Sequence, residues 1–587
     1  KCVWLICLNE PTLHQRFESQ NITEGTTPAQ TIRFLLPTMP QNQLFQTLQR
    51  SITDNSRLPA LSDFNGSTAT YGELAGKIAR IHMMLSSAGI KTGDKVALCA
   101  RNSAEWAATF LGALSYGAVV VPILHEFHPE NIEHLVNHSE AKILFSEKQI
   151  ADNLDTERMP GLEALLLIPG YEPAVCRNDK LACLLENFDE AFSRIHPTWS
   201  AADLKFADPA PDTVALINYT SGSTGNSKGV MLTYGNLWSN IRFAINNIPF
   251  LHPGDGMLSM LPLAHMYGLV FEFLFPLALG CHITFLGRIP SPQIVLKAFA
   301  QVKPKLVITV PLVIEKIIKG KVFPVLRKPA VRLLTAIPGV RNLIYARIRK
   351  QLLDAFGGRL EELILGGAAL SAEVEELLRT IRFPFTVGYG MTECAPLLTY
   401  CYWSDQRPHS CGKMVDGMEA RIASKDAANV PGVLFVRGAN VMKGYYKNPE
   451  ATAEALDKDG WLNTGDVCTI DADGYVYIRG RNKSMILGPS GQNIYPEEIE
   501  VKLNNLPLVG ESIVVDRDGR IVALVHPDYD QGRKLGLTED ETEKKVMNNL
   551  PVLNKMLPAY SRVSAFEIHR DEFEKTPKHS IRRFIYK

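Results

Sequence analysis

Short apolar runs alternate with stretches of helical periodicity along most of the chain. Residues 95–99, 141–145, 214–219, 305–310 and 362–365 are apolar blocks of strand length and read as buried strands. Residues 71–88 and 372–381 repeat apolar positions every three or four residues and read as helices. This βα alternation predicts an α/β fold, a large layered N-terminal domain of several α/β subdomains. The texture changes near residue 480. Residues 432–437 and 474–479 read as strands joined by charged or Gly-rich turns. Beyond them lies a compact unit of about 105 residues, a common size for a small domain. Within it, 496–505 and 541–556 read as helices, and 512–515 and 520–525 flank Asp518-Gly519, a hairpin signal. The predicted organisation is an N-terminal domain over 1–480 and a small α+β C-terminal domain over 481–587.

Two apolar stretches are long enough to raise the question of a membrane span. Residues 106–124 are uncharged, but Gly112, Gly117 and Pro122 interrupt them and Val119-Val120-Val121 is β-branched. A buried helix running into a buried strand is predicted instead. Residues 261–286 carry His265, Glu272 and His282, which are expensive in lipid. Residues 1–8 are too short for a span and lack a signal-peptide pattern. The expectation is a soluble, cytoplasmic chain that at most rests on a membrane surface.

Composition narrows the function classes. The 587 residues include 62 Lys+Arg and 62 Asp+Glu, so the net charge is zero. No overall basic field draws the chain to nucleic acid. The ten cysteines include no CxxC pair, which argues against a zinc or disulfide framework and for reduced thiols. Asn21-Ile22-Thr23 and Asn65-Gly66-Ser67 match the glycosylation pattern, one that is common by chance.

The most informative segment is 219–229, Tyr-Thr-Ser-Gly-Ser-Thr-Gly-Asn-Ser-Lys-Gly, directly after a predicted strand. Gly222, Gly225 and Gly229 let backbone approach a ligand closely. Thr220, Ser221, Ser223 and Thr224 add hydroxyls, and Lys228 adds a positive charge. Backbone amides, hydroxyls and one lysine suit a polyphosphate. The order of Ser227, Lys228 and Gly229 excludes a Walker A loop. A flexible Gly/Ser linker is the plain alternative, and such linkers do not follow a buried strand with this density of hydroxyls.

Residues 220–229 resemble the signature loop of the adenylate-forming enzymes, the superfamily of acyl-CoA synthetases, firefly luciferase and peptide-synthetase adenylation domains. The resemblance extends over about residues 40–587, since further motifs follow in the family's order. It implies that Leu365-Gly366-Gly367-Ala368-Ala369 packs on adenine, although by itself this segment reads as a tight turn. Gly388-Tyr389-Gly390-Met391-Thr392-Glu393 matches the adenine- and magnesium-binding motif. There Tyr389 and Gly390 take the ring, Thr392 takes phosphate, and Glu393, with Thr224, takes Mg²⁺. Asp466, in Trp461-Leu-Asn-Thr-Gly-Asp466, and Arg481 resemble the ribose contacts. Lys483 falls at the hinge about which a mobile C-terminal domain swings, or is an exposed loop lysine. His265 resembles a residue at the mouth of the acyl pocket, or is a satisfied core histidine. The segment beginning at Gly491 resembles the lining of the thiol tunnel and carries ordinary helix-start signals as well.

One departure stands out. The family places a catalytic lysine in a Thr-Pro-x-Gly-Lys-Ile context near the C-terminus, where this chain has Thr576-Pro577-Lys578-His579-Ser580-Ile581. Ser580 takes the lysine's place, so Lys578 is the expected substitute, with Lys575 the other candidate. The tail 573–586 is most similar to bacterial long-chain fatty acid–CoA ligases. The resemblance implies activation of a fatty acid by ATP with Mg²⁺, giving acyl-AMP and pyrophosphate, then transfer to coenzyme A. Alternatives are transfer to an acyl carrier protein, or a nucleotide- or acyl-binding protein with impaired adenylation. A light-emitting or other oxidative relative has no support in the residues.

Overall fold

The computed structural model describes residues 31–32, 43–220, 227–288, 291–487, 493–517, 519–558, 561–575 and 581–586. Its largest sheet has eight strands. Five run parallel in the spatial order Ala164–Leu167, Ala141–Ser146, Lys95–Cys99, Val119–Pro122, Val214–Thr220. Most of their positions are buried, as expected of parallel strands covered on both faces. Antiparallel strands flank them: Pro173–Cys176 at one edge, Lys228–Thr233 and then Gly444–Tyr445 at the other.

Helix Tyr71–Ser87 begins at a capping box, in which Thr70 and Glu73 satisfy each other's backbone amides. It packs on helix Ala104–Tyr116, where a Cβ at Gly112 would come within 2.6 Å of Ile81, so the close approach requires glycine. The second helix ends at Gly117, with φ +95°, and runs straight into strand Val119–Pro122. The 106–124 stretch is therefore a helix and strand of the core. Among the described residues no helix is long and apolar enough to cross a membrane.

A second parallel group joins Gly256–Ser259, His282–Phe285 and Pro59–Asp63, and a third joins Leu306–Thr309, Glu362–Leu365 and Phe385–Val387. An antiparallel sheet contains Met418–Ala423, Gly432–Gly438, Leu462–Ile470 and Val476–Arg481. The predicted strands and helices of the large region all form, with ends shifted by one or two residues.

Residues 494–566 build an apolar core of their own around Ile499, Leu503, Ala523, Val525 and Phe566. The predicted hairpin forms from Val509–Arg517 and Arg520–Pro527, and Ala565–Ile568 adds a parallel third strand. The expected single helix over 541–556 is two, Glu539–Met547 and Leu550–Lys555. Pro551 accounts for the break: its ring opposes the carbonyl four residues back and it offers no N–H, so it sits in the first turn of a new helix. Large and mixed α/β upstream, small α+β downstream, the architecture has the predicted class.

Candidate active site

Several candidate residues lie at the ends of strands, where α/β sheets place their ligands. Thr220 ends the last parallel strand on its side of the sheet, and Lys228 opens the antiparallel return strand directly opposite it. The hairpin needs Gly229, because a Cβ there would meet the Tyr219 ring at 3.1 Å and Ile217 at 2.8 Å. Ser221, Gly222, Ser223, Thr224 and Gly225 lie outside the described residues. The two ends of their loop are fixed by this strand pair.

Lys228 places its Nζ 4.9 Å from the centre of the Tyr445 ring, a cation–π contact. The Tyr445 hydroxyl donates to Glu393 Oε1 at 2.9 Å. Glu393 stands in the turn Thr392–Cys394, whose backbone is tied back by Met442 N–H donating to Glu393 O at 2.8 Å. Gly390 precedes that turn in a tight hairpin with Leu397, where a Cβ would strike the Pro396 carbonyl at 2.2 Å. The loop end with Lys228 and the Glu393 carboxylate thus face one another across a single tyrosine.

A second chain of contacts leads from Tyr389. Its hydroxyl donates to Asp466 Oδ2 at 2.5 Å, and Arg481 Nε lies 2.9 Å from Asp466 Oδ1. Asp466 and Arg481 are direct partners on adjacent antiparallel strands. Asp466 is buried while Arg481 is exposed. Burial pushes the Asp466 carboxyl above its ordinary value, against the pull of Arg481 and the Tyr389 hydroxyl; Glu393 and Glu497 push it further up. Burial, with Asp466 beside it, drives the Tyr389 phenol well up, so it stays protonated and donates. Asp466 in turn holds the Arg481 guanidinium charged. Tyr389 and Glu393 lie four residues apart on one hairpin and the turn that follows it, so the two contact chains meet at one site.

An apolar segment joins the same region. Asn218, two residues before Thr220 and fully buried, donates to the Ala264 carbonyl at 2.8 Å and so pins the segment carrying His265. His265 opens a short helical turn, and Tyr267 packs its ring where a Cβ on Gly366 would sit, 3.0 Å away. Gly367, with φ +81°, and Ala368 are exposed at the end of strand Glu362–Leu365. This is open backbone of the kind a flat ring can lie against.

Lys483 falls in the turn Asn482–Ser484, immediately after the strand that carries Arg481, and its side chain lies outside the described set. Gly491, Lys578 and Ser580 lie outside the described residues. Lys575 is described: its Nζ pairs with Glu511 Oε1 at 2.8 Å. Sequence reasoning does not single out Tyr445 or Asn218. Tyr445 reaches Glu393 through the pairing of Val230 with Tyr445, which no local motif announces.

A layered α/β body with polar and charged side chains gathered at its strand ends is the class of a nucleotide-binding α/β enzyme. A family model described as AMP-binding enzyme matches residues 48–446. The long-chain-fatty-acid–CoA ligase FadD15 of Mycobacterium tuberculosis is 31% identical over 473 residues, covering 76% of this chain and 75% of that protein. The 4-coumarate-CoA ligase 1 of Narcissus pseudonarcissus is 28% identical over 507 residues, covering 83% of this chain and 84% of its own. Among solved structures, ATP-bound MatB from Rhodopseudomonas palustris matches with a TM-score of 0.71 at 25% identity, over 92% of this chain and 98% of that one. The chain belongs to the AMP-binding enzyme family and is an adenylate-forming enzyme.

Proposed function

We propose that this protein is an acyl-CoA ligase that activates a long-chain fatty acid. The acid's carboxylate attacks the α-phosphate of ATP, pyrophosphate leaves, and the thiol of coenzyme A then displaces AMP from the acyl-adenylate. The observation that carries the reading is the continuous set of contacts from Lys228 through Tyr445 to Glu393, which meets the contacts of Tyr389, Asp466 and Arg481 on one hairpin and turn. Lys228 and the loop it closes serve the triphosphate. Asp466 and Arg481 accept from and donate to the ribose hydroxyls, chemistry suited to a carboxylate and a guanidinium. Gly367, Ala368, Tyr389 and Gly390 flank the adenine, Thr392 bonds phosphate, and His265 stands by the reacting carboxylate.

Magnesium fits this set. Among the described residues no group of three or more His, Cys, Asp and Glu could hold a metal alone. Mg²⁺ in nucleotide sites needs only one or two protein oxygens besides phosphate and water. Glu393, with Thr224, supplies them, and the ion when bound neutralises triphosphate charge.

The long-chain acid is favoured by the named activity of FadD15 and by the buried apolar segment Leu269–Ala278 beside His265. The named activity of 4-coumarate-CoA ligase makes an aromatic acid the contrasting substrate. We place the moving unit at 481–587, hinged near Lys483, with the segment from Gly491 facing the thiol. Lys578 takes the role of the lysine replaced by Ser580, a reading favoured by the engagement of Lys575 with Glu511.

The test supplies ATP, Mg²⁺ and either palmitate or 4-coumarate, with coenzyme A or a holo carrier protein, and reads the products by mass spectrometry. Palmitoyl-CoA is expected; a palmitoyl-carrier product moves the acceptor, coumaroyl-CoA moves the acid, and no product leaves a binding protein. Pyrophosphate release from Lys578→Ala, Lys575→Ala and Ser580→Ala then assigns the lysine. A loss of about 100-fold is expected for Lys578→Ala alone, and unchanged adenylation in that variant rejects the assignment.

A further inference from the structure

The chain is electrically neutral as a whole, but its charge is unevenly placed. Residues 311–350 hold ten basic side chains and one acidic, Glu315, a net charge of +9. The same segment contains six of the thirteen large apolar side chains that stand strongly exposed among the described residues: Leu312, Val325, Leu333, Leu334, Ile337 and Leu343. Leu333 and Leu343 are each 73% exposed. Exposed leucines scattered singly need no explanation, whereas a cluster of them does.

The local structure explains the exposure. After strand Leu306–Thr309 the chain leaves the sheet through Pro311–Ile317, and Pro311, Ile314, Ile318 and Phe323 are its only buried residues before 351. Helices Pro329–Thr335 and Pro338–Ala355 follow, and the first of them buries no residue at all. Among the described residues, only Lys319 and Arg327 of the ten cations have a carboxylate within ion-pair distance, Glu315 and Glu373. Leucines and unpaired cations side by side on projecting helices match the two requirements of a bilayer interface. Apolar side chains enter the acyl boundary, and Lys and Arg meet anionic headgroups.

We infer that residues 311–350 form a docking surface for an anionic lipid bilayer, which they engage peripherally. Charge complementarity selects this occupant. A second copy docked through the same face would bring +9 against +9, and an acidic protein or an acidic face of another copy would answer the charge without calling for six exposed apolar side chains. The root of the projection also lies at the active-site end of its strand. Val310 Cγ1 stands 3.7 Å from where a Cβ on Gly367 would be, and Glu315 Oε1 accepts from Ser371 N–H at 2.8 Å. A bilayer held there lies beside the mouth through which an apolar acid would enter. The docking surface stands without the acyl-CoA ligase reading, since it rests on the charge and exposure of these helices alone.

The experiment uses the full chain and sedimented vesicles, either pure phosphatidylcholine or equal parts phosphatidylcholine and phosphatidylglycerol. The protein is expected to pellet with the anionic vesicles at low salt, at least about tenfold more than with the neutral ones, and high salt should release it. Two double variants separate the contributions: Arg332→Glu with Arg341→Glu, and Leu333→Ser with Leu343→Ser. Each is expected to lower binding to anionic vesicles at least about tenfold, with thermal midpoint and activity on a monodisperse acid unchanged. Wild-type protein that ignores anionic vesicles, or variants that bind as it does, overturn the inference. So does loss, in the same variants, of self-association or of binding to an acidic holo carrier protein while vesicle binding persists.

Discussion

Two buried carboxylates, Asp466 in the polar site and Glu272 in the apolar segment after His265, receive opposite treatment. Asp466 has two partners, the exposed guanidinium of Arg481 at 2.9 Å and the Tyr389 hydroxyl at 2.5 Å. Glu272 is fully buried in the π-helical segment Leu269–Leu274 and has no cation within ion-pair distance among the described residues. Its Oε2 accepts from Leu261 N–H at 2.8 Å, Met260 N–H at 3.0 Å and Ser259 Oγ at 3.1 Å, while Oε1 has no hydrogen-bond partner among the described residues. Burial pushes Glu272 well above the carboxylate range. Asp466 keeps an ion pair with an exposed side, open to a ligand; Glu272 is an acid that braces the chain just before His265. Burial alone therefore does not mark a functional carboxylate; a paired charge with an open side does.

The largest expected effect tests the first half of the contrast. Asp466→Ala should lower adenylation, followed by ATP–pyrophosphate exchange, by about 10³, or about 4 kcal/mol of transition-state stabilisation. Its thermal midpoint should move little, because Arg481 can turn to water. Activity within threefold of wild type would remove Asp466 from the site. The second half predicts the reverse at Glu272. Glu272→Leu leaves three donors without an acceptor and should cost about 3–4 kcal/mol of stability. Glu272→Gln, which keeps an acceptor oxygen, should cost about 1 kcal/mol. Thermal or denaturant unfolding measures both, and a leucine variant as stable as the wild type would show that the brace does not exist.

These contrasts are only partly legible in the chain's letters. Fully buried parallel strands read as unbroken apolar blocks, so 95–99, 141–145, 214–219 and 362–365 stand out from the residue pattern alone. The motifs around Thr220, Tyr389, Glu393 and Asp466 are local, and they too stand out. Tyr445 does not, because its contact with Glu393 arises from strand pairing across more than two hundred residues of chain. Glu272 registers in the sequence only as a polar interruption that disfavours a membrane span; its three donors come from the turn at 259–261 in three dimensions. Pro551 carries a local signal for two helices, outweighed by the apolar periodicity around it. The helices after Pro311 carry a local excess of Lys and Arg that the sequence shows, but which of their apolar side chains stand exposed appears only in three dimensions.

Glu362 lies between the two extremes and sharpens the comparison through pH. It is buried in the strand that leads to Gly366, accepting from the Tyr400 hydroxyl at 2.8 Å and from Trp403 N–H at 2.9 Å, with no cation within ion-pair distance among the described residues. Burial raises its carboxyl from 4.5 to about 7, and the two hydrogen bonds only partly offset this. A raised folded-state value in an acid means that the fold prefers the neutral form. Its contribution is complete below 4.5 and is lost as pH rises through about 7. At most about 3 kcal/mol is involved, from the size of the shift. Glu362→Gln cannot ionise, so it should gain on the wild type in thermal midpoint as pH goes from about 5 to about 8, with the two proteins nearest each other in acid. Parallel pH profiles would mean that Glu362 is ionised in the fold throughout. Buried acids without a cation would then not be held neutral in this protein, and the contrast between Asp466 and Glu272 would lose its physical basis.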